Sequence, residues 1–142
     1  NAKPEEVKLI LIDPKMVEAT LANAKAAGAE GRIRCEVADV AMSPVPETKE
    51  RGVIFVNPPY GDRMGDPMLL RDTYADIGVF LEDNRASYDG YIFTGSPEIA
   101  EIAGIVAEDR GSFYSGRIEC RLLANPALTP DARAMYRRRI PR

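Results

Sequence analysis

Short apolar runs separated by segments of helical period are the feature that most constrains this chain. Val7 to Ile12 (VKLILI), Gly52 to Val56 (GVIFV) and Tyr88 to Thr94 (YDGYIFT) are mostly apolar over five to seven residues. The first reads as a strand buried on both faces, because a parallel sheet is covered by helices above and below, and the other two as further strands, the one ending at Val56 also buried. Arg32 to Val37 (RIRCEV) alternates and reads as a further strand. Between the strands, Asp13 reads as an N-cap and Pro14 as the first helical position. Val17, Leu21 and Ala24 follow at helical spacing, with Gly28 as the stop. Leu70, Tyr74, Ile77 and Leu81 recur at i, i+4, i+7 and i+11 and mark one face of a second helix. Ser96 reads as the N-cap of a third helix through about Ala103, with Pro97-Glu98 as its first turn. Ser112 to Tyr114 and Arg117 to Leu123, separated by Ser115-Gly116, read as a closing β-hairpin. Ser43 to Arg51 and Gly61 to Pro67 read as loops. The whole is an α/β pattern with a mostly parallel sheet and a C-terminal antiparallel hairpin.

The bulk properties exclude several classes. With 142 residues, 45% hydrophobic and 29% charged, the chain suits one domain with a real core. No apolar run approaches the roughly 18 residues of a membrane span, and Asn1 to Glu6 lacks the pattern of a signal peptide. The expectation is a cytoplasmic protein without a membrane partner. The chain has no histidine, which excludes Ser-His and Cys-His catalysis within it. Its two cysteines, Cys35 and Cys120, are isolated and form no metal-ligand spacing, so both read as buried free thiols and no metal site is expected. The net charge is −3, yet Arg117 to Arg142 carries seven arginines against Glu119 and Asp131. Residues 126–142 therefore read as a basic tail, either solvated or contacting phosphates. Pro130 is placed to start a short helix within it.

The motif that carries chemistry is Asn57-Pro58-Pro59-Tyr60, at the point where an apolar strand gives way to a loop. Ligands of open α/β sheets bind at the carboxyl ends of the strands. The Asn57 side-chain oxygen can accept a hydrogen bond from an exocyclic amine. The two prolines fix φ and lack N–H groups, so the turn is stiff and presents carbonyl acceptors. The Pro58 carbonyl can take a second amine hydrogen, and Tyr60 offers a flat face to an extruded base. Such a site needs no strong base, because positioning and electrostatics carry the acceleration. A plain turn is the alternative for an isolated Asn-Pro-Pro.

Val53 to Met64 (VIFVNPPYGDRM) resembles the motif IV region of class I S-adenosylmethionine-dependent amino-methyltransferases. More narrowly it resembles the THUMP-associated large-subunit ribosomal RNA guanine-N2 methyltransferase L family. Other segments agree with that family. They are Asp13 to Val17 with Asn23 to Gly28, Glu36-Val37-Ala38-Asp39-Val40, Phe93 to Glu98, and Tyr114 to Leu123. The resemblance covers roughly residues 7 to 124 and implies a Rossmann-like sheet. It implies that Asn57, Pro58, Pro59 and Tyr60 bind the target guanine, and that Asn57 also borders the cofactor, S-adenosylmethionine. It implies that Asp39, with Val40 beside it, accepts from the cofactor's adenine amine; a solvated loop acid is the alternative. Asp13 either lies near the cofactor or only caps its helix.

The pattern departs from the family in two places. The first strand and the glycine-rich motif I have no counterpart, and Leu11 stands where the family has an acid for the cofactor ribose. The expectation is therefore a partial catalytic domain over residues 1–125. Its strands at 7–12 and 52–56 must pair directly, be completed by a missing N-terminal segment or homodimer, or stay open. The expected function is methyl transfer to guanine N2 of ribosomal RNA. Adenine N6, a transfer-RNA guanine, and a non-catalytic RNA-binding or assembly module are the alternatives.

Overall fold

Every run read as a strand becomes one, and every periodic segment a helix. In the computed structural model, residues 7–11, 14–43, 45–47, 51–59 and 66–126 are described. The elements are β1 (Val7–Leu11), α1 (Pro14–Ala26), β2 (Ile33–Val37), β3 (Gly52–Val56), α2 (Pro67–Asp83), β4 (Tyr88–Thr94), α3 (Pro97–Ile102), β5 (Glu108–Ser115) and β6 (Ile118–Asn125). They fall into two compact units, residues 1–44 and 45–142.

In the first unit β1 and β2 pair in parallel, with Leu9 opposite Cys35. Pro14 opens α1 at the position where a missing N–H costs nothing. Gly28, at φ 73°, ends it in the left-handed conformation that glycine adopts without a Cβ clash. The Ala29 N–H reaches back to the Ala24 carbonyl at 2.8 Å. Cys35 is half-buried rather than buried.

In the second unit the strand order is β3-β4-β6-β5. β3 and β4 run parallel, while β6 is antiparallel to both β4 and β5. Core residues lie on both faces of this sheet, with α2 covering one of them. Leu70, Tyr74, Ile77 and Leu81, the predicted face of α2, are all 5% exposed or less, as are Ile92, Cys120 and Ala124. α2 approaches so closely that a Cβ on Gly90 would lie 2.8 Å from the Leu81 Cδ2. At the start of β4 the Tyr88 ring covers Gly52, its partner in register. The Tyr88 hydroxyl donates to the Pro46 carbonyl, and burial raises its pKa.

Other readings change as well. β3, read as a buried strand, is only partly covered: Val53 and Phe55 are 64% and 60% exposed. Side chains alternate along a strand, so these two point away from the face that α2 covers. Of the alternatives for β1 and β3, direct pairing is not seen: among the described residues β1 pairs with β2 alone and β3 with β4 alone. Pro67 belongs to α2 rather than to the loop, because Asp66 caps the helix by accepting from the Met68 N–H at 2.9 Å. Finally, β5 starts at Glu108, ahead of the predicted Ser112, and its register with β6 shifts between Asp109 and Ser112. Gly111, at φ 125°, accommodates that irregularity. The Gly111 N–H donates to the Asp109 carboxylate, and with Arg121 it lowers the Asp109 pKa. Ile12, Asp13 and the tail from residue 127 lie outside the described residues. None of the described helices is long and apolar enough to cross a membrane.

Candidate active site

The motif leaves the carboxyl end of β3. Val56 pairs with Ile92, so Asn57 follows on alongside the last residues of β4. Asn57 is exposed, Pro58 is buried and Pro59 is exposed. The arrangement follows from local chemistry. A residue that precedes proline is pushed out of the helical region, which keeps Asn57 and Pro58 extended. The strand direction thus continues into the motif, and an exposed amide side chain sits at its start.

The Pro59 carbonyl is held from below. The Tyr74 hydroxyl, on α2, donates to it at 3.1 Å. The same hydroxyl lies 2.5 Å from the Thr94 Oγ1, at the end of β4. Thr94 Oγ1 in turn accepts from the Ser96 N–H at 2.9 Å. Tyr74 and Thr94 are both fully buried, and their hydroxyls satisfy one another. Tyr74 was legible in the sequence only as part of an apolar stripe. The signal for more was its type, since a buried tyrosine needs a partner for its hydroxyl. Ser96 occupies the predicted N-cap position but makes no side-chain cap. Its own N–H is committed to Thr94, and the Ile99 N–H closes the turn on the Ser96 carbonyl at 3.0 Å.

Asp39 stands two residues past the end of β2, in the first unit. It caps a single 3-10 turn, Val40–Met42, with one carboxylate oxygen accepting from the Ala41 N–H at 3.0 Å. The Ser43 hydroxyl donates to the Asp39 carbonyl at 2.8 Å. Asp39 is exposed and Val40 half-buried. An ionised carboxylate has about four acceptor positions, so the capping bond leaves capacity for a ligand amine. Tyr60 and Asp13 lie outside the described residues. Among the described residues no group of acidic, cysteine or histidine side chains is arranged to hold a metal ion.

Residues 7–123 match the model of the RMKL-like methyltransferase domain family. A ribosomal RNA large subunit methyltransferase K/L of Syntrophotalea carbinolica is 39% identical over 115 residues, covering 78% of this chain and 16% of that protein. Its namesake in Pseudomonas savastanoi pv. phaseolicola is 32% identical over 130 residues, covering 91% of this chain and 17% of that protein. The chain thus spans about a sixth of the length of these relatives. Among solved structures, the candidate methyltransferase SMU.472 in complex with SAH superposes with a TM-score of 0.76 at 22% identity, over 87% of this chain and 32% of that one. That likeness shows a Rossmann-like methyltransferase fold.

Proposed function

This chain belongs to the RMKL-like methyltransferase domain family, and on that premise we propose that it forms part of an S-adenosylmethionine-dependent ribosomal RNA methyltransferase whose target is the exocyclic N2 of guanine. The observation that carries the reading is the stiff Asn57-Pro58-Pro59 segment at the carboxyl end of β3, with its exposed amide side chain. The named relatives, which act on large-subunit ribosomal RNA by their names, favour the same substrate class. A cytoplasmic location goes with that reading.

S-adenosylmethionine, when bound, supplies a methyl group made electrophilic by a positively charged sulfur. The chain's own residues do the rest. The Asn57 side-chain oxygen and the Pro58 carbonyl each accept one amine hydrogen, which holds the nitrogen and aims its lone pair. Tyr60 stacks on the base once it has left its helix. Asp39, with Val40 beside it, would accept from the adenine amine of the cofactor, and Asp13 would border the same molecule. No residue need act as a strong base: the amine sheds its proton after transfer, so orientation carries the rate.

Asn57→Ala tests this. Transfer of labelled methyl to large-subunit RNA should fall at least about 100-fold, while calorimetric titration of S-adenosylhomocysteine should give the same affinity as the unsubstituted chain. Retained transfer in the substituted protein would rule out the role given to Asn57.

A further inference from the structure

Three elements converge beneath the motif, and hydrogen counting gives their contact a direction. A tyrosine hydroxyl has one proton. The Pro59 carbonyl can only accept, so the Tyr74 proton goes to it. The 2.5 Å contact between the two hydroxyls must then be donated by Thr94. Thr94 Oγ1 receives the Ser96 N–H. One chain of donors therefore runs from the start of α3, through β4 and α2, into the Pro59 carbonyl. Tyr74 and Thr94, whose hydroxyls it runs through, are fully buried.

The position of that carbonyl matters for a reason internal to the motif. Proline rings fix φ of Pro58 and Pro59. A following proline restrains ψ of Asn57 and Pro58. Peptide planarity removes the ω angles. Of the torsions from ψ of Asn57 to ψ of Pro59, ψ of Pro59 alone has no such restraint. It sets the direction of the Pro59 carbonyl and of the peptide plane that contains the Tyr60 nitrogen. The Tyr74 hydroxyl is bonded to that same carbonyl.

We infer that Tyr74 and Thr94 are positioning residues for methyl transfer: their hydroxyls hold the Pro59 carbonyl and thereby fix ψ of Pro59, the torsion that the prolines leave unrestrained. The inference rests on the reading of the motif as the base-binding site. Because Tyr74 acts through backbone, its loss should appear in turnover rather than in cofactor binding.

The test has one readout that does not depend on activity. In the full chain, Tyr74→Phe and Thr94→Val should each move the Pro59 carbonyl carbon resonance upfield, the direction that loss of a hydrogen bond to that oxygen gives, with the β4 amides unchanged. Thr94→Ser, which keeps the hydroxyl, should return the resonance to its original position. The two substitutions combined should be no worse than either alone, since they break one chain. Where transfer is measurable, kcat should fall by about tenfold to a hundredfold with KM for the cofactor unchanged. A Pro59 carbonyl resonance unaltered in Tyr74→Phe overturns the inference, whether or not the chain transfers methyl. So does a lower unfolding temperature with the resonance and kcat unaltered, the mark of a purely structural role. Asn57→Ala separates the two readings. If it retains transfer, the proposed function fails and the Pro59 resonance still decides the role of Tyr74. If it loses transfer while Tyr74→Phe keeps full turnover and the original resonance, only the positioning role fails.

Discussion

A single proton on Tyr74 ties the chemistry of the candidate site to the packing of its scaffold. The residue sits in an apolar helix face whose burial stabilises the fold, and its hydroxyl is what reaches the motif. The neighbouring contact on the same helix shows how little room that packing leaves. Gly90 lies in the middle of β4, where glycine ordinarily weakens a strand. It is required here by the Leu81 side chain, 2.8 Å from where a Cβ would stand and only 2% exposed. Gly90→Ala should therefore destabilise the chain by about 1–3 kcal/mol through overpacking, read as a lower urea midpoint at unchanged slope. A neutral or stabilising result would mean that α2 yields at this point. The sequence made Leu81 and Tyr74 legible as core by spacing alone. It did not show that one excludes a methyl group from Gly90 and the other reaches Pro59, because those are contacts between elements distant along the chain.

At the scale of elements, the helices were read from periodicity and punctuation together, and punctuation was the weaker guide. Pro14 and Gly28 bound α1 as their chemistry requires. Asp66-Pro67 is an equally good start signal, yet it closes a stretch rich in Gly and Asp that reads as loop. The Asp66 carboxylate takes the Met68 N–H, one of the donors that the first turn leaves without a helical partner. Asp66→Ala should cost about 1 kcal/mol of stability and Asp66→Ser much less, checked by chemical denaturation. Since α2 carries Tyr74, the cap also secures the helix that holds the motif. Ser96 teaches the reverse lesson. Its position is that of a cap, but the neighbouring Thr94 hydroxyl takes its N–H and the serine side chain makes no capping bond. The hairpin was legible by its Ser115-Gly116 turn, with Gly116 at φ 62°. Its full length was not, because the charged start of β5, Glu108-Asp109-Arg110, is exposed and carries no apolar alternation.

At the scale of the whole molecule, burial among the described side chains is concentrated in the second unit. Among the described side chains, Ala24 is the one buried apolar residue of the first unit, while Tyr74, Leu81, Ile92, Cys120 and Ala124 form the core of the second. Local opening follows local burial. Amides of β4 and β6 should therefore exchange on the order of 100-fold more slowly than those of α1, measured residue by residue in native buffer. Equal protection in both units would mean that they unfold as one. The strand and helix types, the parallel entry of the first strands, the closing hairpin and the motif's place at a strand end were all set by the sequence itself. Period, proline geometry and turn chemistry are local properties that each segment carries with it. Which faces are covered, which strands share a ladder, and what holds the motif's backbone were decided only by tertiary structure. Val53 and Phe55 look like core in the sequence and stand exposed. An apolar side chain states what it would bury against, but only the neighbouring elements determine whether anything is there.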